Sequence, residues 1–147
     1  FSPLNHPFAM KVIALFGKGG IGKTTTLNLL NNLINPDTTA TNLRKDDKYT
    51  FTYKGKTISI TTPGDNAKEI NNNNNYAKEK KCDIWVTASR TKGQSVKKLE
   101  EISKNIRWIE KNVGHKRQDL VNEAQAADLQ AIIDDVINQL NAKEASA

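Results

Sequence analysis

A three-layer α/β domain whose central sheet is mostly parallel, with about five strands, is the fold this sequence predicts. Three observations carry it. Short apolar runs alternate with helix-periodic segments along most of the 147 residues. The first apolar run flows through a glycine-rich turn straight into a helical pattern, and a parallel strand pair needs such a crossover. The length allows one domain, since domains run to roughly 100–200 residues.

Residues 1–9 carry two prolines, no charge and no periodicity, so they read as an appended or processed leader, with residues 10–147 as the single domain. Residues 10–16 form a short apolar run ending in glycines, the signature of a strand buried on both faces. Residues 24–34 place Leu27, Leu30, Leu33 and Ile34 at helical spacing, and Asn35-Pro36 stops them. Residues 38–48 are polar and aperiodic and read as a loop. Residues 49–53 and 57–61 alternate around Lys54-Gly55-Lys56, a hairpin signal, with the first strand antiparallel at a sheet edge. A helix is expected over residues 67–80, where the asparagine run 71–75 reads as tolerated low-complexity surface. Residues 82–88 read as a second buried strand. Residues 95–106 read as a helix with Val96, Leu99, Ile102 and Ile106 on one face, and residues 106–113 as a last strand. Residues 119–141 are the clearest helix, with Leu129, Ile132, Ile133, Val136, Ile137 and Leu140 on one stripe.

The composition narrows the function. Lysine and arginine outnumber aspartate and glutamate by 22 to 16, and a net charge of +6 suits polyphosphates or nucleic acid. No apolar run approaches the roughly 18 residues of a membrane span, so no membrane insertion is expected. A single cysteine, Cys82, excludes a disulfide framework and fits a cytoplasmic, reducing location. One cysteine and two histidines leave no His/Cys metal constellation, and His115 reads as a loop histidine.

The segment Gly17-Lys18-Gly19-Gly20-Ile21-Gly22-Lys23-Thr24 matches G-x-x-x-x-G-K-[ST] completely, between a strand and a helix. Glycines bring backbone N–H groups close to phosphate oxygens, and the helix N-terminus turns its positive dipole end to the same anion. Lys23 would neutralise the β- and γ-phosphates, the Thr24 hydroxyl would ligate Mg²⁺, and Thr25 would reach the α-phosphate.

The longer string from Lys18 to Thr25 resembles the deviant Walker A of the ParA-like, MinD-like and nitrogenase-iron-protein-like ATPases, within the P-loop NTPases. That resemblance implies a dimeric, nucleotide-switched ATPase in which Lys18 reaches phosphates across the dimer. The family's aspartate-rich strand end is not matched, and its members are usually much longer.

Residues 57–65 run from a strand into Pro63-Gly64, similar to the D-x-P-G switch of small GTPases and related P-loop proteins. The resemblance makes Gly64 a γ-phosphate sensor and Asp65 a substitute for orienting metal or water, while Thr61 or Thr62 stands at the switch aspartate. Pro-Gly also specifies a plain type II turn. Asp37, Thr39 and Thr41 are further metal candidates, whereas Asp46 and Asp47 read as a solvated mixed-charge turn. Arg90 follows the strand at 82–88 and is a candidate for phosphate charge. The lysines at 78, 80, 81, 97 and 98 admit weak nucleic-acid contact. The guanine-reading N-K-x-D string is absent, which favours ATP over GTP; Asn112 is a weak candidate for base contact.

The sequence therefore reads as an ATP·Mg-binding NTPase, a slow ATPase used as a nucleotide switch, with catalytic roles at Lys23, Lys18 and Asp65. A small P-loop kinase and a non-catalytic nucleotide-binding assembly protein are the rivals. Nucleotide, a second subunit and a protein partner are the partners these features admit.

Overall fold

The computed structural model describes residues 9–146, so the expected leader lies, apart from Ala9, outside the described residues. The elements are β1 (Lys11–Phe16), α1 (Lys23–Ile34), β2 (Lys48–Tyr53), β3 (Lys56–Thr61), α2 (Ala67–Glu79), β4 (Ile84–Ser89), α3 (Gln94–Ile102), β5 (Ile106–Glu110) and α4 (Gln118–Ser146). They build one α/β sheet in the order β2-β3-β4-β1-β5. Only the β2–β3 pair is antiparallel, and β2 stands at an edge as expected.

Alternation along β1 explains the layering. Ile13 and Leu15 face one way and join Leu27 and Leu30 of α1 with Leu129, Ile133 and Ile137 of α4. Val12 and Ala14 face the other way and join Ile70 and Ala77 of α2, Trp85 of β4 and Leu99 of α3. Both faces of the sheet are thus covered, which is why β1 and β4 read as near-continuous apolar runs.

The strand order decides where a ligand can sit. β1 and β4 are neighbours, yet their crossover helices leave to opposite faces, α1 to one and α3 to the other. A crevice opens at the carboxyl ends of such a pair. Here those ends carry the loops 17–22 and 90–93.

Boundaries depart from the sequence reading for local reasons. The hairpin turn has two residues, Lys54 and Gly55, both at positive φ (49° and 80°), the primed turn that matches strand twist. Lys81 takes a left-handed conformation (φ 54°) after α2, so β4 begins at Ile84 instead of Cys82. α3 ends at Ile102 because Ile106 is drawn into β5 opposite Val12. β5 stops at Glu110, where Gln125 takes over the backbone: its Oε1 accepts from Asn112 N at 2.8 Å and its Nε2 donates to Glu110 O at 2.7 Å.

The asparagine run also departs from its reading as surface. Asn73 and Asn74 are buried, and Asn73 Nδ2 donates to Pro63 O at 2.8 Å, tying α2 to the turn after β3. No described helix is long and apolar enough to cross a membrane.

Candidate functional site

The glycine loop closes on itself around a lysine. Gly20 and Gly22 sit at φ 77° and 97°, conformations open to glycine at little cost. Lys23 is 7% exposed, and its Nζ donates to Gly17 O at 2.6 Å and Lys18 O at 2.9 Å. The loop therefore wraps its own ammonium. Burial lowers the Lys23 pKa; the Asp65 carboxylate opposes that shift and the Arg90 guanidinium adds to it. Gly22 caps α1 without any side-chain bond, and the first turn holds no acidic residue. The helix thus presents uncapped N–H groups, at its positive end, toward the loop.

Asp46 is exposed, as its reading in a mixed-charge turn expected, and it is also one of the cleft residues that sequence reasoning missed. Its Oδ1 accepts from Thr24 Oγ1 and from Thr62 Oγ1, each at 3.1 Å, so it joins the start of α1 to the end of β3. It arrives there because α1 carries asparagines at helical spacing toward the loop. Asn28 Nδ2 donates to Leu43 O at 2.8 Å and Lys45 O at 2.9 Å, Asn31 Nδ2 to Thr38 O, and Asn32 pairs both ways with Ala40. Tyr49 OH fixes the Asn28 amide by donating to its Oδ1 at 2.8 Å. The polar loop is therefore laced to a polar helix face. Asp37, Thr39 and Thr41 lie outside the cleft wall and are exposed.

The third wall comes from the ends of β3 and β4. Gly64 packs so closely on β4 that a Cβ there would lie 2.1 Å from Ala88 O. Asp65 Oδ1 accepts from Arg90 Nε at 2.9 Å, a half-exposed ion pair linking the loops after β3 and β4. Arg90 also lies against the glycine loop, where a Cβ on Gly19 would come within 2.8 Å of its Nη2.

These walls enclose an open cleft of about 490 Å³. Gly19, Gly20, Ile21, Gly22, Lys23, Thr24, Thr25, Gly64 and Asp65 line it together, as the sequence reading grouped them. Arg44, Gln118 and Asn122 line it as well and were not foreseen. Gly17 lies buried behind the loop and Lys18 is exposed, both outside the lining; Asn112 and His115 lie outside it too. Asn122 belongs to the buried stripe of α4 and the half-buried Gln118 precedes it by one turn, a weak signal that was available in the sequence.

Thr24 and Asp46 offer adjacent hard oxygen donors, while no group of three or more His, Cys, Asp or Glu that could hold a metal ion stands together among the described residues. That donor set fits Mg²⁺, which takes one or two protein oxygens and completes its shell with water and phosphate. No family model matches the chain, and neither a curated protein nor a solved structure does.

Proposed function

We propose that this chain is a P-loop NTPase that binds a nucleoside triphosphate with Mg²⁺, hydrolyses it slowly and acts as a nucleotide switch. The observation that carries the reading is the convergence of a complete phosphate-loop string with Asp46, Gly64 and Asp65 in one cleft. In this reading the amides of Gly19, Gly20 and Gly22 bind the phosphates and Lys23 exchanges its carbonyl partners for phosphate oxygens. Thr24 and Asp46 would hold Mg²⁺, whose chemistry is neutralisation of charge on the β- and γ-phosphates. Gly64 offers its N–H to the γ-phosphate, and Asp65 orients the attacking water. As the water oxygen bonds to the γ-phosphorus, the bond to the bridging oxygen breaks, the diphosphate leaves with the electron pair and the water's proton passes to an oxygen of the released phosphate.

β3 ends at Thr61, with Thr62 next, where an aspartate would hold metal and water, and Asp65 is tied to Arg90 through Oδ1, which leaves only Oδ2 for the water. Turnover in this reading is slow for that reason. Arg44, on the cleft wall, supports a second reading as a small phosphotransferase. Single-turnover assays with labelled ATP, with and without acceptors, separate the two.

The primary test is thermal unfolding. A ligand at a hundredfold excess over its Kd stabilises the native state by about 2.7 kcal/mol. ATP with Mg²⁺ should raise the wild-type Tm and leave Lys23→Ala unmoved. A wild-type curve unchanged by ATP, GTP and their diphosphates refutes nucleotide binding.

A further inference from the structure

The cleft has a second end that the phosphate and metal contacts leave unused. Asp46 and Thr62 stand on the β3 side of β1, while α4 and the loop after β5 stand on the other side. Asn122 of α4 forms that far wall, against the Cα of Gly22, where a Cβ would lie 2.9 Å from its Oδ1.

Its polarity is set by a chain of bonds that begins at the backbone. Gly114 N can only donate, and it donates to Gln118 Oε1 at 2.8 Å. Gln118 Nε2 is therefore the donor that meets Asn122 Oδ1 at 2.7 Å. Each carboxamide oxygen thereby accepts one bond, which fixes the orientation of both amides. Asn122 is 6% exposed, and its Nδ2 donates to nothing among the described residues. A buried side chain on the cleft wall thus shows the cavity two unspent N–H donors.

We propose that Asn122 is the base-contacting residue of the cleft and that its Nδ2 donates to a purine ring nitrogen, N3 or N7. The inference rests on the nucleoside-triphosphate reading above and sharpens its substrate class. Every purine offers ring-nitrogen acceptors to such a donor. N3 and N7 accept in adenine and guanine alike, so a donor spent on either leaves the two purines equal; only their Watson–Crick edges, O6 and N1–H in guanine against an amino group and N1 in adenine, would separate them. The site therefore takes either purine triphosphate, against the ATP preference expected from the missing guanine-reading string.

The experiment is calorimetric titration of the full chain with the magnesium salts of ATP, GTP and inorganic tripolyphosphate, which has phosphates and no base. In the wild type, ATP and GTP should bind within about tenfold of one another, and each at least about tenfold tighter than tripolyphosphate, the scale of one good hydrogen bond. Asn122→Leu should collapse the ratio of nucleotide to tripolyphosphate affinity toward one. Gln118→Met, at a less buried position, frees the Asn122 amide to rotate. It should lower the same ratio by a smaller factor, and it decides the matter if Asn122→Leu does not fold. Equal loss of nucleotide and tripolyphosphate affinity in the variants makes Asn122 a support for Gly22 and overturns the proposal. So does an unchanged ratio, or a wild-type preference above about a hundredfold for one purine, which a contact to N3 or N7 does not supply. Wild-type protein that binds tripolyphosphate as tightly as nucleotide overturns this inference alone. Failure to bind any of the three overturns the nucleotide reading with it.

Discussion

Replacing Gly64 with alanine puts a methyl group into the backbone of a central strand. The added Cβ would lie 2.1 Å from Ala88 O, 2.4 Å from Ala88 C and 2.9 Å from Ala88 Cβ. Carbon and oxygen sit no closer than about 3.3 Å in ordinary contact, so the turn must retreat by about 1 Å. Ala88 cannot yield, because β4 is buried along its whole length and Ala88 is paired to Leu15 of β1. The turn is also tethered through Pro63 O to Asn73. Overpacking of this kind costs about 1–3 kcal/mol, and a clash with backbone belongs at the upper end. Urea unfolding should show it as a lower midpoint at unchanged slope. The fully buried Trp85, whose Nε1 donates to Thr61 Oγ1 at 2.9 Å, supplies the fluorescence signal. Gly55→Ala is the control: φ there is 80° with nothing within 4 Å of a Cβ, so only left-handed strain of about 1 kcal/mol is added. If Gly64→Ala unfolds at the wild-type urea concentration, or loses less than Gly55→Ala, the close approach of this turn to β4 is refuted.

Other perturbations test separate parts of the site. Asn28→Ala removes the donors to Leu43 O and Lys45 O and the acceptor of Tyr49 OH, so stability should fall by about 2 kcal/mol. Tryptic cleavage at Arg44 and Lys45 should accelerate; an unchanged rate means the clamp does not order this loop. Lys111 is buried beside Gly17, and desolvation lowers its pKa to about 8. Between that value and the ordinary 10.5 the unfolded chain holds a proton that the native state has lost, so stability rises with pH across the window. Lys111→Met should flatten this rise, and identical pH slopes in the two proteins would contradict the assignment. Lys18 is exposed and outside the cleft lining, so Lys18→Ala should retain ATP·Mg binding while lowering nucleotide-dependent dimerisation and hydrolysis together. Sedimentation velocity with a non-hydrolysable ATP analogue checks this, and a wild-type protein that stays monomeric removes the role in trans.

The sequence by itself determined what short-range physics controls. The glycine-rich string at 17–24 is contiguous, and its glycines set their own φ and ψ wherever the chain goes. The apolar runs at β1 and β4 and the stripe on α4 carry periods that fix which face is buried. The edge hairpin was legible because Lys54-Gly55 is a local turn. Asp46 was not legible, because its meaning depends on Thr24 and Thr62, far away along the chain. Its neighbours Arg44, Lys45 and Lys48 mark it as solvated, which it is, without showing that it also reaches the cleft. The available signal was the asparagine pattern of α1, polar residues at helical spacing that must find partners once buried.

Only tertiary structure inserted β4 between β3 and β1, since nothing in a strand's own residues names its neighbour. That insertion opens the crevice, presses Gly64 onto Ala88 and sets Arg90 against Gly19. It also brings α4 across α1, so that Gln118 and Asn122 close the far end of the cleft. Asparagines at 73 and 74 were misread for the same reason. Composition describes what a side chain tolerates, while burial is decided by which element packs against it.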